Sequence, residues 1–163
     1  MRLLALSALA AALLAAAPAV AQNAGQIAAV RRGASCPGCN LFQADLTGLE
    51  KSGQNLSRAR LRQADLSLVV MNRASFAGAD LRDVNAYGGV FSSANFSGAD
   101  LTNATFVGTY LQGARFAGAN LTGANFSGAE MDRASGLSQR QLDRACGDQA
   151  TRLPRGLRIP VCR

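Results

Sequence analysis

The chain has 163 residues, a formal charge of +7, 48% apolar residues and no histidine. Without histidine, neither a Ser-His-Asp nor a Cys-His arrangement can be assembled. There is no tryptophan, and Tyr87 and Tyr110 are the only tyrosines, so no basic-aromatic platform for nucleic acid is visible.

The N-terminus reads as an export signal. Met1-Arg2 is followed by a Leu- and Ala-rich run from Leu3 to Ala17, closed by Pro18. Ala19-Val20-Ala21 then supplies the small-x-small pattern that precedes cleavage. The run is short for a membrane span, which needs about 20 residues. The expectation is a signal peptide over 1–21, a mature chain starting at Gln22, and no membrane span after cleavage. The periplasm or the extracellular medium is then the expected location, and the mature length suits one domain.

Residues 22–38 read as an N-terminal cap segment containing Cys36-Pro37-Gly38-Cys39. Four cysteines in an exported chain point to two disulfides, for which three pairings exist. The favoured pairing is Cys36 with Cys39 and Cys146 with Cys162, because each pair lies in its own terminal segment. The second bridge would close a loop of about 16 residues, worth roughly 3 kcal/mol in the chain-entropy picture. Cys36 and Cys39 also have redox-motif spacing, but the motif runs directly into a repeat instead of a βαβ unit. Zinc is disfavoured because structural sites use Cys with His.

From Leu41 to Met131 every fifth residue is apolar, with only Lys51 and Ala86 breaking the series of nineteen. Ala stands two places before the centre at twelve positions, and Gly two places after it at ten. A period of five fits neither a helix nor a flat strand and indicates a solenoid. A twenty-residue period is superimposed: Leu41, Leu61, Leu81, Leu101 and Leu121 form one column, and Leu56, Phe76, Phe96 and Phe116 another. Four pentads per turn would therefore stack like on like, burying faces that no single repeat could bury. Centre and centre-minus-two face inward, Ala fitting beside the large group. Gly at Gly78, Gly98, Gly108 and Gly118 supplies the positive φ such corners need. Asp or Asn before the centre, as at Asp45, Asp65, Asp80, Asp100 and Asn120, can bond nearby backbone amides. Lys51 falls at an inward position, and a locally loosened first coil or an open end is expected to let it reach water. At Ala86, repacking by Val84, Tyr87 and Val90 is expected to fill the gap.

The C-terminal segment, 134–163, reads as a lid. Ser138 and Gln141 form a capping box, with Leu137 and Leu142 as its hydrophobic staple. A helix is expected over about 139–146, stopped by Gly147, with Leu142 and Ala145 over the last coil. The tail from Leu153 to Cys162 is expected to wrap the end as an extended strap. A dimer interface through the same apolar end is the alternative to capping.

The motif Ala-(Asp/Asn)-(Leu/Phe)-x-x, as in Ala79-Asp80-Leu81 and Ala99-Asp100-Leu101, resembles that of the pentapeptide-repeat family across residues 39–133. The resemblance implies an all-β fold, a right-handed quadrilateral β-helix of four to five coils. At roughly 4.8 Å per coil the rod would be about 23 Å long.

The charge is unevenly placed. Within 39–133 basic and acidic residues balance, and the excess lies in the termini, from Arg31 and Arg32 before the coil and from Arg140, Arg144, Arg152, Arg155, Arg158 and Arg163 against Asp143 and Asp148 after it. Arg58, Arg60, Arg62 and Arg82 form the one basic cluster on the coil and a candidate anion or partner patch. Arg60 is expected to pair with Asp80 one coil on. The functional expectation is a non-catalytic, exported binding or scaffold module without cofactor or metal. Its partner would be an unidentified protein or an acidic envelope polymer, not nucleic acid. The alternative is a DNA-mimicking, topoisomerase-interacting protein like the family's quinolone-resistance members. A neutral coil and an export signal both disfavour it.

Overall fold

A computed structural model describes residues 22–163. The signal-peptide expectation for 1–21 lies outside the described residues. Helix α1 spans Ala24–Arg31, a coil of pentads follows, and helix α2 spans Gln139–Leu142 ahead of an irregular C-terminal strap.

The coil is held by a ladder with a step of twenty. Asn40 pairs in parallel with Arg60, Arg60 with Asp80, Asp80 with Asp100 and Asp100 with Asn120. Three further series start from Asp45, Glu50 and Asn55, so four pentads complete one turn. The pentad at Phe96 shows how its amides are satisfied. The Phe96 N–H donates to Arg115 O at 2.8 Å and the Gly98 N–H to Ala117 O at 2.9 Å, both in the next coil. The Asp100 N–H donates back to Ala79 O at 3.0 Å, and the Ala99 N–H closes a turn onto Phe96 O at 3.0 Å. The remaining donor, the Ser97 N–H, is taken by the Asn95 side chain at 3.1 Å. The residue before the centre therefore satisfies the one amide the ladder leaves over. The same bond recurs from Thr47 to Asp45, Ser67 to Asp65, Thr102 to Asp100 and Ser127 to Asn125.

The centres form the core. Leu61, Leu81 and Leu101 are fully buried, as are Phe76, Phe96 and Phe116. Phe76, Phe96 and Phe116 stack with ring centroids 5.2 Å apart and planes within 3° and 11°. Phe106 stands edge-on to Phe96 at 5.7 Å, tying neighbouring columns together. Both geometries are favoured for aromatic pairs.

Every corner from Gly38 to Gly128 places a positive φ two residues after the centre. Ten of the nineteen centre-plus-two positions are Gly. Eight others carry side chains in the same conformation: Gln43, Arg58, Gln63, Leu68, Arg73, Asp83, Ser93 and Asn103. Each costs about 1–2 kcal/mol relative to glycine, least for Asn and Asp, so the ladder overrides local preference eight times.

Three expectations are corrected. The first coil is not loosened at Lys51, since its N–H bonds Val70 O at 3.0 Å and Gly53 N–H bonds Asn72 O at 2.7 Å. The end is not open either, because α1 lays the fully buried Val30 there. Lys51 instead runs its stem past Gly33, where an added methyl would lie 3.2 Å from its Cδ, and stays partly exposed. At Ala86 the filler is not Tyr87, which is 55% exposed. Val84 is buried, and the Phe91 ring leans over Gly89, where a methyl would lie 2.6 Å from it. The Phe91 ring reaches Phe106 at 5.9 Å, in the column interrupted by Ala86. Helix α2 ends at Leu142, well short of residue 146, because the chain must extend again for Cys146 to bridge Asn125. Gly147 is then no helix stop; it pairs with Val161. The segment over 22–38 contains α1. Its Asn23 side chain accepts the Gln26 N–H, and Gln26 in turn accepts the Asn40 N–H at 2.7 Å.

Gly98 isolates the corner conformation, since a methyl there would meet nothing within 4 Å. Gly98→Ala should cost about 1 kcal/mol in urea denaturation, and Gly98→Asn clearly less, because Asn adopts positive φ more readily. Equal losses would contradict a backbone origin. Phe96→Asp should abolish the cooperative transition, since it places a charge in the stacked core.

Candidate functional site

The surface of the coil carries three features: a basic cluster, rows of turn-forming carboxylates, and a strip of outward apolar groups, half-buried to exposed. The structure gives carboxylate partners to two members of the basic cluster. Arg82 grips Asp80 with two bonds, Nε to Oδ1 at 2.7 Å and Nη2 to Oδ2 at 2.6 Å. It also lies 3.8 Å from Asp100. Arg62 reaches Asp83 at 3.3 Å. The expected Arg60–Asp80 ion pair is not formed, although their backbones bridge. The Asp80 carboxylate turns into its own corner, where it also accepts the Arg82 N–H at 3.3 Å. A partner two residues away on the same turn wins over one a coil distant. Arg58 and Arg60 are exposed, with Arg58 lying at a corner beneath Gly78. Of the four arginines, two are thus neutralised by carboxylates.

The electrostatics follow from this geometry. The Arg82 side chain, through its hydrogen bonds and its charge, holds the Asp80 carboxyl below the ordinary carboxylate range. The same contacts push the Arg82 guanidinium further up. Asp45 is also held low, chiefly by the Thr47 amide. These carboxylates are occupied in closing turns.

The cysteines lie at the two ends. Cys36 is bonded to Cys39, with Cα atoms 5.5 Å apart, and Cys146 to Cys162, with Cα atoms 4.8 Å apart. Cys39 fills the inward place that Ala takes elsewhere, and Cys36 N–H bonds Asn55 O at 2.8 Å. The Cys-x-x-Cys motif is therefore the first corner of the coil, not the start of a helix. At the other end, Cys146 continues the ladder above Asn125, and the Cys162 N–H donates to Gly147 O at 2.9 Å. Gln141 donates through one nitrogen to Phe116 O and Ala119 O, both at 2.9 Å, sealing the last coil. Among the described residues, no three metal-ligating side chains gather, and no helix is long and apolar enough to cross a membrane.

The sequence reading passed over the apolar strip. Val70, Val90 and Tyr110 occupy successive outward positions of one side, between Glu50 below and Glu130 above. Leu68, Tyr87 and Val107 line the adjoining corner, and Leu68 lies against Gly88 although its own φ is 58°. The signal was present: outward positions of the repeat are otherwise mostly polar, and these six are not.

A parallel β-solenoid with five-residue sides and Asx-closed corners defines a class of repeat protein, and sequence comparison names it. The family model described as pentapeptide repeats, eight copies, matches residues 55–92, 71–108 and 100–135. The chain belongs to the pentapeptide-repeat family, which implies a right-handed coil. Among solved structures it is similar to HetL, involved in heterocyst differentiation regulation in the cyanobacterium Nostoc. The two share 29% identity over 68% of this chain and 56% of HetL, at a TM-score of 0.53. The chain thus spans little more than half the length of that protein. It is also similar to alr5209 of Nostoc, with 29% identity over 64% of this chain and 77% of that one, TM-score 0.47. QnrB1, a plasmid-mediated fluoroquinolone resistance protein, shows 22% identity over 76% of each chain, TM-score 0.37. No curated protein matches the chain significantly in sequence.

The Asp80 assignment is open to titration. Its folded pKa is lowered, so the stability it contributes is present at neutral pH. That contribution is lost as pH falls through the lowered midpoint. In Arg82→Gln the midpoint, followed by carbon-13 NMR of the carboxyl, should rise towards the ordinary range. An unchanged midpoint would contradict the pairing.

Proposed function

We propose that this chain is an exported, non-catalytic pentapeptide-repeat protein. It acts as a rigid binding or scaffold module in the periplasm or outside the cell, built as a right-handed, four-sided rod. The observation that carries this reading is the continuous ladder from Asn40 to Arg152, joined to a cap at each end. Such a rod presents a fixed surface whose stability is a sum of neighbour contacts. The turn-forming carboxylates are engaged by backbone amides, and the chain offers no histidine for nucleophilic chemistry. Export is supported by the leader pattern in 1–21 and by two disulfides, which persist in oxidising compartments. Partners of the module are a protein or an acidic envelope polymer.

Affinity capture on the oxidised mature protein should retain an envelope component, and mass spectrometry of the native chain should show a Gln22 start. Retention of a leader-bearing chain in the cytoplasm, with inhibition of gyrase supercoiling by the purified protein, would overturn this reading in favour of the topoisomerase alternative.

A further inference from the structure

The cleft between the last coil and α2 has a volume of about 310 Å³, and its walls carry Asn120, Thr122, Arg140, Gln141 and Arg144. Arg140 lies in α2 and Arg144 just past its C-terminal cap, and both side chains line the same cleft. Both are exposed, and neither forms an ion pair among the described residues. This contrasts with Arg31, Arg62, Arg82 and Arg152, each of which has a carboxylate.

The other polar side chains of the cleft are already engaged. Asn120 donates to Asp100 Oδ1 at 3.2 Å and to Thr102 Oγ1 at 3.0 Å. Its own oxygen accepts the Thr122 N–H at 3.2 Å and the Thr122 hydroxyl at 2.7 Å. Gln141 is held by Phe116 O and Ala119 O on one side and by Ser138 on the other. Asp143, the acid nearest in sequence, lines the opposite cleft and accepts a bond from Gln139 at 2.7 Å. The open side-chain donors are therefore the two guanidinium groups, and no carboxylate lines the cleft to neutralise them. Their mounts are fixed: the Arg144 carbonyl accepts the Gly123 N–H at 2.7 Å, and Arg140 sits inside the capping box of α2.

We infer that this cleft is a binding site for an oxyanion group, a phosphate or carboxylate, received by Arg140 and Arg144. Two planar forks without a counterion match two-oxygen recognition of such groups, and the like charges repel each other until an anion sits between them. The volume exceeds that of one phosphate, so the group can belong to a larger molecule. No aromatic side chain lines the cleft, and a nucleobase would find no stacking surface there. The inference gives a ligand chemistry to the module proposed above and rests on that reading only for its use in the cell.

The test titrates the oxidised mature chain at low salt with pyrophosphate and with long-chain polyphosphate. The variants are Arg140→Gln, Arg144→Gln, the double variant, and Arg155→Gln as a control elsewhere on the cap. Each single cleft variant should weaken pyrophosphate binding about fivefold, the scale of one exposed charge-assisted pair. The double variant should remove saturable binding, and the control should leave it unchanged. Pyrophosphate should also raise the melting temperature of the wild-type chain but not that of the double variant. A per-phosphate affinity higher for the polymer would identify a polyanion as the source, and an equal one a small anion. Absence of saturable binding, or equal loss in Arg155→Gln, would overturn the site and leave only diffuse attraction to a basic cap. A failed titration leaves envelope capture by the rod untouched, and a failed capture leaves the titration untouched, so the two readings fail separately.

Discussion

Hydrogen bonding between coils, at a step of twenty residues, governs the rest of this molecule. In the Phe96 pentad two amides point to the coil ahead and one to the coil behind, one closes the corner, and one is left for a side chain. That accounting explains why Asp and Asn precede the centres, why the corners adopt positive φ, and why side chains stand over their own kind. Stacking of phenylalanines at 5.2 Å follows from the ladder and reinforces it. The strength of the ladder is visible where it overrides preference, as at Leu68 and Arg73, which hold a backbone conformation that suits glycine.

The coil itself was legible because its cause is periodic. A spacing of five with a superimposed twenty leaves a mark on every inward position, and the inward assignments of Leu41 to Met131 match the buried core. Non-periodic features were read less well. Helix α1 left only an Asn23 cap and a run of small residues as its signature, with Val30 its one buried residue. The extent of α2 was overestimated because the demand of Cys146 for a place beside Asn125 is tertiary and has no local trace. Near Ala86 the Phe91 ring leans over a neighbouring glycine, an arrangement that depends on ring direction more than on side-chain volume.

Charge was the hardest property to place from the sequence. Proximity along the chain suggested an arginine patch at Arg58 to Arg82, but corner geometry gave Arg62 and Arg82 carboxylates of their own. Arg58 and Arg60 keep open donors on the coil, whereas Arg140 and Arg144 do so in the cap, where repeat register gives way to irregular chain and no Asp ladder runs alongside. Cation content alone therefore said little about where a counterion would find an unoccupied guanidinium. The same holds for the apolar strip around Val90 and Tyr110, whose members are unremarkable singly and become a feature only when the coil aligns them.

The step of twenty also fixes an angle. Each pentad turns the chain through one quarter of a circuit, so the direction in which the Arg140–Arg144 cleft opens relative to α1 depends on how many pentads separate the two caps. Inserting or deleting a whole circuit would lengthen or shorten the shaft and leave that azimuth unchanged. Inserting one pentad would swing one cap by a quarter turn and bring leucine columns over phenylalanine columns. Changes of length along this rod are therefore quantised in orientation, and only multiples of four pentads preserve both the alignment of the ends and the match of the core.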